Sequence, residues 1–240
     1  MLVAVLSDIH ANLAALRAVL DDAGTVDAVR VLGDTVGYGP EPDGVVELLV
    51  DRGALAVRGN HDVAAIDGEG IDWFNPNART AIEWTRQRIV PATRDWLAGL
   101  PARFIEGPFT LVHGSPRDPI WEYVTDPEVA AENLSFLATP YCLFGHTHVP
   151  IAYRREGRLT RAIRPAPGAA IDLDDRPLLA NPGSVGQPRD GDPAASWLLF
   201  DSDGPSLTWR RTPYDIGATQ AAMRVAGLPA PLIARLERGR

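Results

Sequence analysis

The sequence has little of what several classes of protein require. Cys142 is the only cysteine among 240 residues, so the chain forms no internal disulfide and a reducing compartment is expected. No apolar run approaches the roughly 18 residues of a membrane-spanning helix. The short apolar run Leu2–Leu6 lacks the basic leader of a signal peptide. These absences predict a cytoplasmic protein without a membrane partner.

Basic residues are outnumbered, and none of them is lysine. The chain has 31 acidic and 23 basic residues, which gives a formal net charge of -8. This balance disfavours a general nucleic-acid surface, so no stable nucleic-acid partner is expected. A small anionic substrate stays compatible with an acidic protein, because bound divalent cations make their own site locally positive.

Hydropathy patterning predicts an α/β fold at the start of the chain. Short apolar strands are predicted at Leu2–Leu6, Ala28–Leu32 and Ala54–Val57. Between them lie two amphipathic helices, one capped by Asn12 and one over residues 42–50. This β-α-β-α-β order is typical of a mainly parallel sheet, which binds ligands beyond the carboxyl ends of its strands.

Farther along the chain the pattern changes character. Residues 62–77 lose their periodicity and are predicted as a loop. From residue 151 onward, short strands separated by Gly, Pro and Asp turns predict a second, largely antiparallel sheet packed on the first. One or two surface helices are predicted within residues 211–240. No linker divides the chain, so residues 1–240 are predicted to form a single domain.

Every histidine lies in a short polar motif at the end of an apolar run. In chain order the motifs are Ser7-Asp8-Ile9-His10, Gly33-Asp34, Arg58-Gly59-Asn60-His61-Asp62, Val112-His113-Gly114 and Gly145-His146-Thr147-His148. Each piece has an ordinary alternative: Asp8 can cap the first helix, Gly33-Asp34 can form a turn, and His113 can be structural. The ordered set at strand ends predicts one shared site instead.

The spacing and types of these residues indicate a metal site. Asp8 and His10 are two residues apart, so an extended backbone would send both side chains to one side and Ile9 into the core. His146 and His148 repeat this spacing. Mixed carboxylate, imidazole and amide ligands suit Mn²⁺, Fe, Zn²⁺, Ni²⁺ or Co²⁺ better than Ca²⁺, and Mn²⁺ is the expected ion.

Two such ions would account for a hydrolytic reaction without a protein nucleophile. Asp34, next to the flexible Gly33, is the candidate for a carboxylate that bridges them. Ions about 3.5–4 Å apart clamp the attacking and leaving oxygens of an in-line phosphoryl displacement and lower the pKa of a water between them toward about 7. The sequence therefore predicts metal-assisted hydrolysis of a phosphate ester.

Taken together, the motifs D-x-H, G-D, G-N-H-[DE], H-G and G-H-T-H resemble those of the calcineurin-like metallophosphoesterase superfamily. The resemblance runs from Leu2 to about Val149, and Asn181–Ser184 matches a further turn. It implies a four-layer α/β/β/α sandwich of two mixed β-sheets with two divalent ions. It also implies two ligand sets, Asp8, His10, Asp34 and His148 for one ion and Asp34, Asn60, His113 and His146 for the other.

In this resemblance, His61 contacts the phosphate and acts as general acid for the leaving oxygen. The superfamily's serine/threonine protein phosphatases carry Asp-Arg after G-D-x-V, whereas Val36 is followed here by Gly37-Tyr38-Gly39. The carboxylate that would orient His61 is therefore unassigned, and a phosphoprotein substrate is disfavoured. The segment Gly37–Pro40 instead resembles the small prokaryotic YfcE-like phosphodiesterase/phosphatase branch.

Further side chains near the motifs are candidates for substrate contact. Arg117 would reach a second phosphate or a nucleotide, or else pair with Asp118 or Asp126 on the surface. Trp121 and Tyr123 would stack on a base, or else pack in the core or in a lid. Besides Asn60 and His61, the candidates are Tyr38, Arg58, Arg79, Arg117, Trp121, Tyr123 and Asn181.

Three other aromatic residues, Trp73, Phe74 and Trp84, are expected in the core.

Three functions follow from these observations. The favoured one is a phosphodiesterase or phosphatase acting on small, nucleotide-like esters, with monoesters and diesters both open. A nonenzymatic scaffold is disfavoured because Asn60 and His61 are retained. A nuclease is disfavoured by the net charge and the lack of an evident basic groove.

Overall fold

The computed structural model describes residues 1–240, whose strands form two six-stranded mixed sheets. The strands are β1 (Leu2–Leu6), β2 (Ala28–Leu32), β3 (Leu55–Val57), β4 (Arg103–Glu106), β5 (Phe109–Val112), β6 (Tyr141–Leu143), β7 (Pro150–Glu156), β8 (Leu159–Ile163), β9 (Ala170–Asp172), β10 (Leu178–Pro182), β11 (Ala195–Asp201) and β12 (Ser206–Thr212). The helices are α1 (Leu13–Ala23), α2 (Pro42–Asp51), α3 (Asn60–Ile66), α4 (Pro76–Arg86), α5 (Pro91–Gly99), α6 (Pro127–Leu134), α7 (Ile216–Val225) and α8 (Ala230–Arg235).

The later strands are shared between the two sheets. The first sheet has the order β3-β2-β1-β11-β12-β9, with β1 to β3 parallel and the rest antiparallel. The second has the order β4-β5-β6-β10-β7-β8, with a parallel centre of β5, β6 and β10. The prediction of a separate antiparallel sheet from residue 151 onward was therefore wrong, because short-range patterning does not reveal which distant edge a strand joins.

Alternate residues along a strand face different layers of the structure. In β1, Val3 and Val5 face a core between the sheets, whereas Ala4 and Leu6 face a core shared with α1, α2 and α5. In the second sheet, Cys142 contributes to a third cluster, under α6. These cores give the four-layer α/β/β/α sandwich that the resemblance implied. No helix combines the length and apolar character that a bilayer crossing demands.

Helix α1 begins as the sequence predicts, which bears on the metal motifs. The Asn12 side chain accepts a hydrogen bond from the Ala15 N–H at 3.1 Å, and the helix buries Leu16 and Val19 before ending at Gly24. Asp8 is therefore not the cap of this helix. Its carboxylate is available to the site at the end of β1.

Residues 62–66 belong to helix α3, although they were predicted as part of a loop over residues 62–77. Residues 60–65 of α3 are all buried, so the helix has no solvent-exposed face and shows no amphipathic period. Its first turn is held by Asp62, whose carboxylate accepts the Gly59 N–H at 2.9 Å. The short edge strands β4 and β9 were also missed. The helices predicted within residues 211–240 are confirmed as α7 and α8.

Leu198 tests the shared core between the sheets. It lies opposite Val5 in the pairing of β1 with β11 and is fully buried. We expect Leu198→Ala to lower the free energy of unfolding by about 2–5 kcal/mol, because it removes apolar contacts and leaves a cavity. Leu159→Ala, at a side chain that is 75% exposed, is the control and should cost under about 0.5 kcal/mol. Urea unfolding of both variants measures the difference, and equal effects would contradict this packing.

Candidate metal centre

All five motifs lie at the carboxyl ends of parallel strands. Asp8 follows β1, Asp34 follows β2 and Asn60 follows β3, while His113 follows β5 and His146 follows β6. The two groups of strands belong to different sheets, and their ends meet at one edge of the sandwich. The fold thus brings together residues that are up to 140 positions apart, as Asp8 and His148 are.

The first cluster contains Asp8, His10, Asp34 and His148. Their ligand atoms all lie within 4.8 Å of one another, and all four residues are buried. Asp8 Oδ1 is 3.3 Å from His148 Nε2, and Asp34 Oδ2 is 3.6 Å from His10 Nε2. Such spacing places four donor atoms around one common point.

The second cluster shares Asp34 with the first and adds His113 and His146. His113 Nε2 is 3.4 Å from Asp34 Oδ2 and 3.0 Å from His146 Nδ1. Asn60 Oδ1 lies 3.0 Å from the same His113 nitrogen. The seven side chains predicted as ligands are therefore together, and Asp34 stands between the two groups.

The orientation of the imidazole rings fits bound cations. In each of the four rings one nitrogen contacts a backbone carbonyl oxygen, which fixes the proton on that nitrogen in the neutral form. These contacts are His10 Nδ1 to Val36, His113 Nδ1 to Leu32, His146 Nε2 to Trp121 and His148 Nδ1 to Gln187, at 2.6–3.2 Å. The other nitrogens then point lone pairs at each other, at 3.1 Å between His10 and His148. Two facing lone pairs repel unless a cation lies near both.

The carboxylates need positive charge as well. Asp8 Oδ2 accepts hydrogen bonds from the Ser7 hydroxyl and the His146 N–H, whereas the buried Oδ1 has no hydrogen-bond partner. Burial raises the pKa of Asp8 to about 7. The nearby His113 acts to lower this pKa, and the nearby Asp34 acts to raise it. Burial, followed by the nearby Asp62, raises the pKa of Asp34. A cation at this point would offset the cost of burying both carboxylates.

Burial also favours the form of histidine that binds metals. It is the main cause of the lowered pKa values of four histidines, His10, His61, His146 and His148. Neutral imidazole is the ligand form, so these rings need no deprotonation at neutral pH. The donor set and its protonation states therefore suit divalent cations.

The backbone that aims these side chains is left-handed rather than extended. Asp8, His10, Asp34, His146 and His148 have φ values of 50–69°. The expected extended geometry of the Asp8-Ile9-His10 motif was therefore wrong, although Ile9 is fully buried in the core. Each such residue costs of the order of 1–3 kcal/mol, which the surrounding structure must hold in place.

Backbone hydrogen bonds and close approaches hold these conformations. The N–H of Asp8 donates to the Gly33 carbonyl at 3.1 Å, and the N–H of His10 donates to the Asp34 carbonyl at 2.9 Å. A Cβ on Gly59 would lie 2.2 Å from Asp34 Oδ1. Only glycine lets the chain after β3 approach this carboxylate so closely.

His61 lies at the start of α3 with aromatic rings around it. Its ring centroid is 4.4 Å from that of Tyr38, 4.7 Å from that of Phe74 and 4.8 Å from that of His10. Its buried Nδ1 has no hydrogen-bond partner. The neighbouring Asp62 bonds instead to the backbone N–H groups of Val36 and Gly59. Ring packing, not a carboxylate, therefore positions His61.

A cleft of about 300 Å³ opens over these groups. One part of its lining is aromatic and contains Trp73, Phe74, Trp121 and Tyr123. Trp73 is 74% exposed, so its expected place in the core was wrong; it packs edge-on against Trp121 at 4.9 Å. Tyr123 stacks on the His146 ring at 3.6 Å. Phe74 and Trp84 are partly buried.

Four candidate contact residues lie outside the cleft lining. Arg117 is paired with Glu122 and Glu132, not with the expected aspartates, so its guanidinium is already neutralised. Arg79 is paired with Asp72 and Glu83. Asn181 is buried and donates to the Gly145 carbonyl, so it supports the turn that carries His146. Arg58 does not reach the cleft lining either.

Two arginines that line the cleft were not predicted. Arg189 follows β10, and Arg235 is the last residue of α8, 87 positions beyond His148. Arg189 follows the family-like turn Asn181–Ser184, which is a weak signal. Nothing in the local sequence around Arg235 indicates that α8 folds back onto the site.

Asp34 provides the sharpest test of the metal centre. If each cluster holds one divalent cation, Asp34→Asn should reduce the metal content from two ions per chain to one or none, because Asp34 belongs to both clusters. Asp62→Asn is the matched control, since Asp62 is equally buried but belongs to neither cluster. Metal content after dialysis, measured by mass spectrometry on folded protein, gives the count. Retention of two ions by the Asp34 variant would exclude its shared role.

Comparison with known proteins agrees with this geometry. Residues 1–204 match the calcineurin-like phosphoesterase superfamily domain. The protein MJ0912 of Methanocaldococcus jannaschii is 37% identical over 247 residues, which cover 100% of this chain and 98% of that protein. The crystal structure of a metallophosphoesterase from Sphaerobacter thermophilus is 46% identical, with a TM-score of 0.93 over 100% of this chain and 99% of that one.

A more distant structure shares the fold. Protein PH1004 of Pyrococcus horikoshii OT3 is 19% identical, with a TM-score of 0.82 over 100% of this chain and 98% of that one. The phosphoesterase YfcE of E. coli is also similar, at 21% identity and a TM-score of 0.46 over 89% of this chain and all of that one. Placement in the YfcE-like branch stays a prediction. The chain belongs to the calcineurin-like phosphoesterase superfamily, a family of phosphoesterase hydrolases.

Proposed function

We propose that this protein is a phosphoesterase that uses two divalent cations, Mn²⁺ first among them, to hydrolyse small, nucleotide-like phosphate esters. The observation that carries the proposal is the convergence of seven donor side chains on two points with Asp34 common to both. Asp8, His10, Asp34 and His148 would hold one ion, and Asp34, Asn60, His113 and His146 the other. Bound there, the ions supply an activated water and neutralise phosphate charge.

The remaining chemistry belongs to His61. The ring sits beside Asn60 and lines the cleft, so it can contact a phosphoryl oxygen and donate a proton to the leaving oxygen. Rings from Tyr38, Phe74 and His10 restrict its orientation. The only thiol, that of Cys142, is fully buried and burial raises its pKa, so it is not a candidate nucleophile.

The composition of the cleft favours a nucleotide-like substrate. Exposed indole and phenol surface from Trp73, Trp121 and Tyr123 provides a place for a flat base, and stacking of a base on an aromatic ring contributes about 1–3 kcal/mol. The phosphate end would lie at His61 and the metal donors. Both monoesters and diesters fit this arrangement.

Three alternatives are less well supported. A protein phosphatase is disfavoured because the Asp-Arg pair is absent from the sequence and no carboxylate bonds to the ring Nδ1 of His61. A nonenzymatic scaffold has no need to keep all seven donors and His61. A nuclease is disfavoured by the net charge of -8. We propose action in the cytoplasm, without membrane or stable nucleic-acid partners.

A metal-reconstituted screen tests the function. Protein stripped of metal is reloaded separately with Mn²⁺, Fe²⁺, Zn²⁺, Ni²⁺ or Co²⁺ and offered nucleoside monoesters, diesters and cyclic esters, with product release as the readout. We expect turnover that depends on added metal and is highest with Mn²⁺. Loaded protein that binds two ions yet hydrolyses none of these esters would refute the proposal.

The role of His61 is tested by varying the leaving group. We expect His61→Ala to lower kcat about 10²–10⁴-fold on nucleoside and alkyl esters, whose leaving oxygens need a proton. The loss should be much smaller on p-nitrophenyl esters, whose leaving group needs none. Metal content should match the parent protein. An equal loss on both ester classes would show that His61 binds phosphate without donating a proton.

A further inference from the structure

Two arginines line the cleft without a side-chain carboxylate partner. Neither Arg189 nor Arg235 forms an ion pair, and Asp34 is the only acidic residue in the cleft lining. By contrast, the nearby Arg117 and Arg79 are each paired with two acidic residues. In a chain with an excess of acidic residues, this leaves a local concentration of uncompensated positive charge.

The two guanidinium groups are held next to each other. Arg189 Nη2 and Arg235 Nη1 both donate to Gln187 Oε1 at 3.0 Å, so one side-chain oxygen holds the two guanidinium groups together. Burial and the neighbouring Arg189 lower the pKa of Arg235. Two like charges at this separation repel, and an anion between them would remove the repulsion.

The protein uses only part of the donor capacity of these groups: besides Gln187, Arg235 bonds only through Nε, to the Arg240 backbone oxygen at 2.6 Å. The buried Nε of Arg189 forms no hydrogen bond. The Arg189 guanidinium otherwise bonds only to Gln187 and, weakly at 3.4 Å, to the Tyr38 hydroxyl. Guanidinium groups with free N–H donors bind phosphate oxygens in pairs. The geometry thus resembles a phosphate site more than a structural contact.

The arginine pair borders the same cleft as the metal donors. The Tyr38 ring lies 4.6 Å from the His10 ring and 4.4 Å from the His61 ring, and the Arg189 guanidinium lies 5.9 Å from the centre of the Tyr38 ring. Tyr38 therefore contacts both groups, and the backbone N–H of Arg189 donates to the His148 carbonyl at 3.2 Å. A ligand whose phosphoryl group lies at the metal donors can extend a second anionic group to the arginines within the same cleft.

We propose that Arg189 and Arg235 form a second anion site that holds another phosphate of the substrate. This inference rests on the proposed function, in which the first phosphate lies at the metal donors. The preferred substrate class is then a bisphosphorylated nucleotide-like ester rather than a simple monophosphate. The site is rigid, because Leu232, Ile233 and Leu236 around Arg235 pack in one core with Tyr38.

Binding measurements separate this site from catalysis. Titration calorimetry with Mn²⁺-loaded His61→Ala protein, which suppresses turnover, compares adenosine 3′,5′-bisphosphate with adenosine 5′-monophosphate. We expect the bisphosphate to bind about tenfold tighter or more, as charge-assisted hydrogen bonds to a second phosphate allow. Adding Arg189→Gln or Arg235→Gln should reduce that ratio to about 1–3, whereas affinity for the monophosphate should change little.

Two further variants complete the design. Arg238→Gln, on an exposed residue three positions beyond Arg235, removes the same charge and should leave the ratio unchanged. Arg189→Lys keeps the charge and should retain part of the preference. A ratio near one in the parent protein, or one that Arg189→Gln and Arg235→Gln leave intact, would overturn the proposal.

The two proposals fail in different ways. If bisphosphate binding depends on the arginines but the otherwise unmodified protein hydrolyses no ester, the second anion site stands and the proposed function falls. If esters are hydrolysed but the arginine variants keep the bisphosphate preference, the function stands and this inference falls.

Discussion

The arrangement of the site depends on four imidazole rings that cannot turn. Each ring gives one nitrogen to a backbone carbonyl, so its other nitrogen must face the centre. One carbonyl belongs to Leu32 at the end of β2, and the others belong to loops that follow strands of both sheets, at Val36, Trp121 and Gln187. Lone pairs fixed in this way repel one another and attract a cation. The folded chain therefore bears the free-energy cost of bringing these nitrogens together before a cation binds. The fold thus specifies ligand direction through the backbone rather than through a second layer of carboxylates.

This arrangement of donors requires strained backbone conformations, and they are concentrated at the metal centre and the cleft. Seven residues other than glycine have positive φ in the chain, and six of them, Asp8, His10, Asp34, Tyr38, His146 and His148, belong to the metal centre or the cleft. A strand that ended in ordinary extended geometry would point alternate side chains to opposite faces. A left-handed residue turns the chain sharply at the strand end, so donors two positions apart face one point while Ile9 stays in the core.

The ligand set could be predicted from the sequence because each donor sits in a short motif tied to a strand end, and parallel strands bring their carboxyl ends to one edge. What could not be predicted depends on distant contacts. Residues of α3 are buried on all sides, so the helix carries no periodic signal. The partner edge of β11 is 190 or more positions away, at β1. The exposure of Trp73 follows from its place at a cleft, which hydropathy alone cannot distinguish from a core. Arg235 reaches the site only because α7 and α8 fold back across Tyr38.

Tyr38 connects these features physically. Its ring packs against His10 and His61 on one side and its hydroxyl faces Arg189 on the other, while the core beneath it is built partly from α8. The residue occupies the segment in which the protein phosphatases of the superfamily carry their Asp-Arg pair. An aromatic ring there cannot orient His61 by charge, but it restricts the ring by packing. The positive charge of the cleft lies instead with Arg189 and Arg235, beside the Tyr38 hydroxyl. There it can select substrates by a second anionic group instead of strengthening the contact with the first.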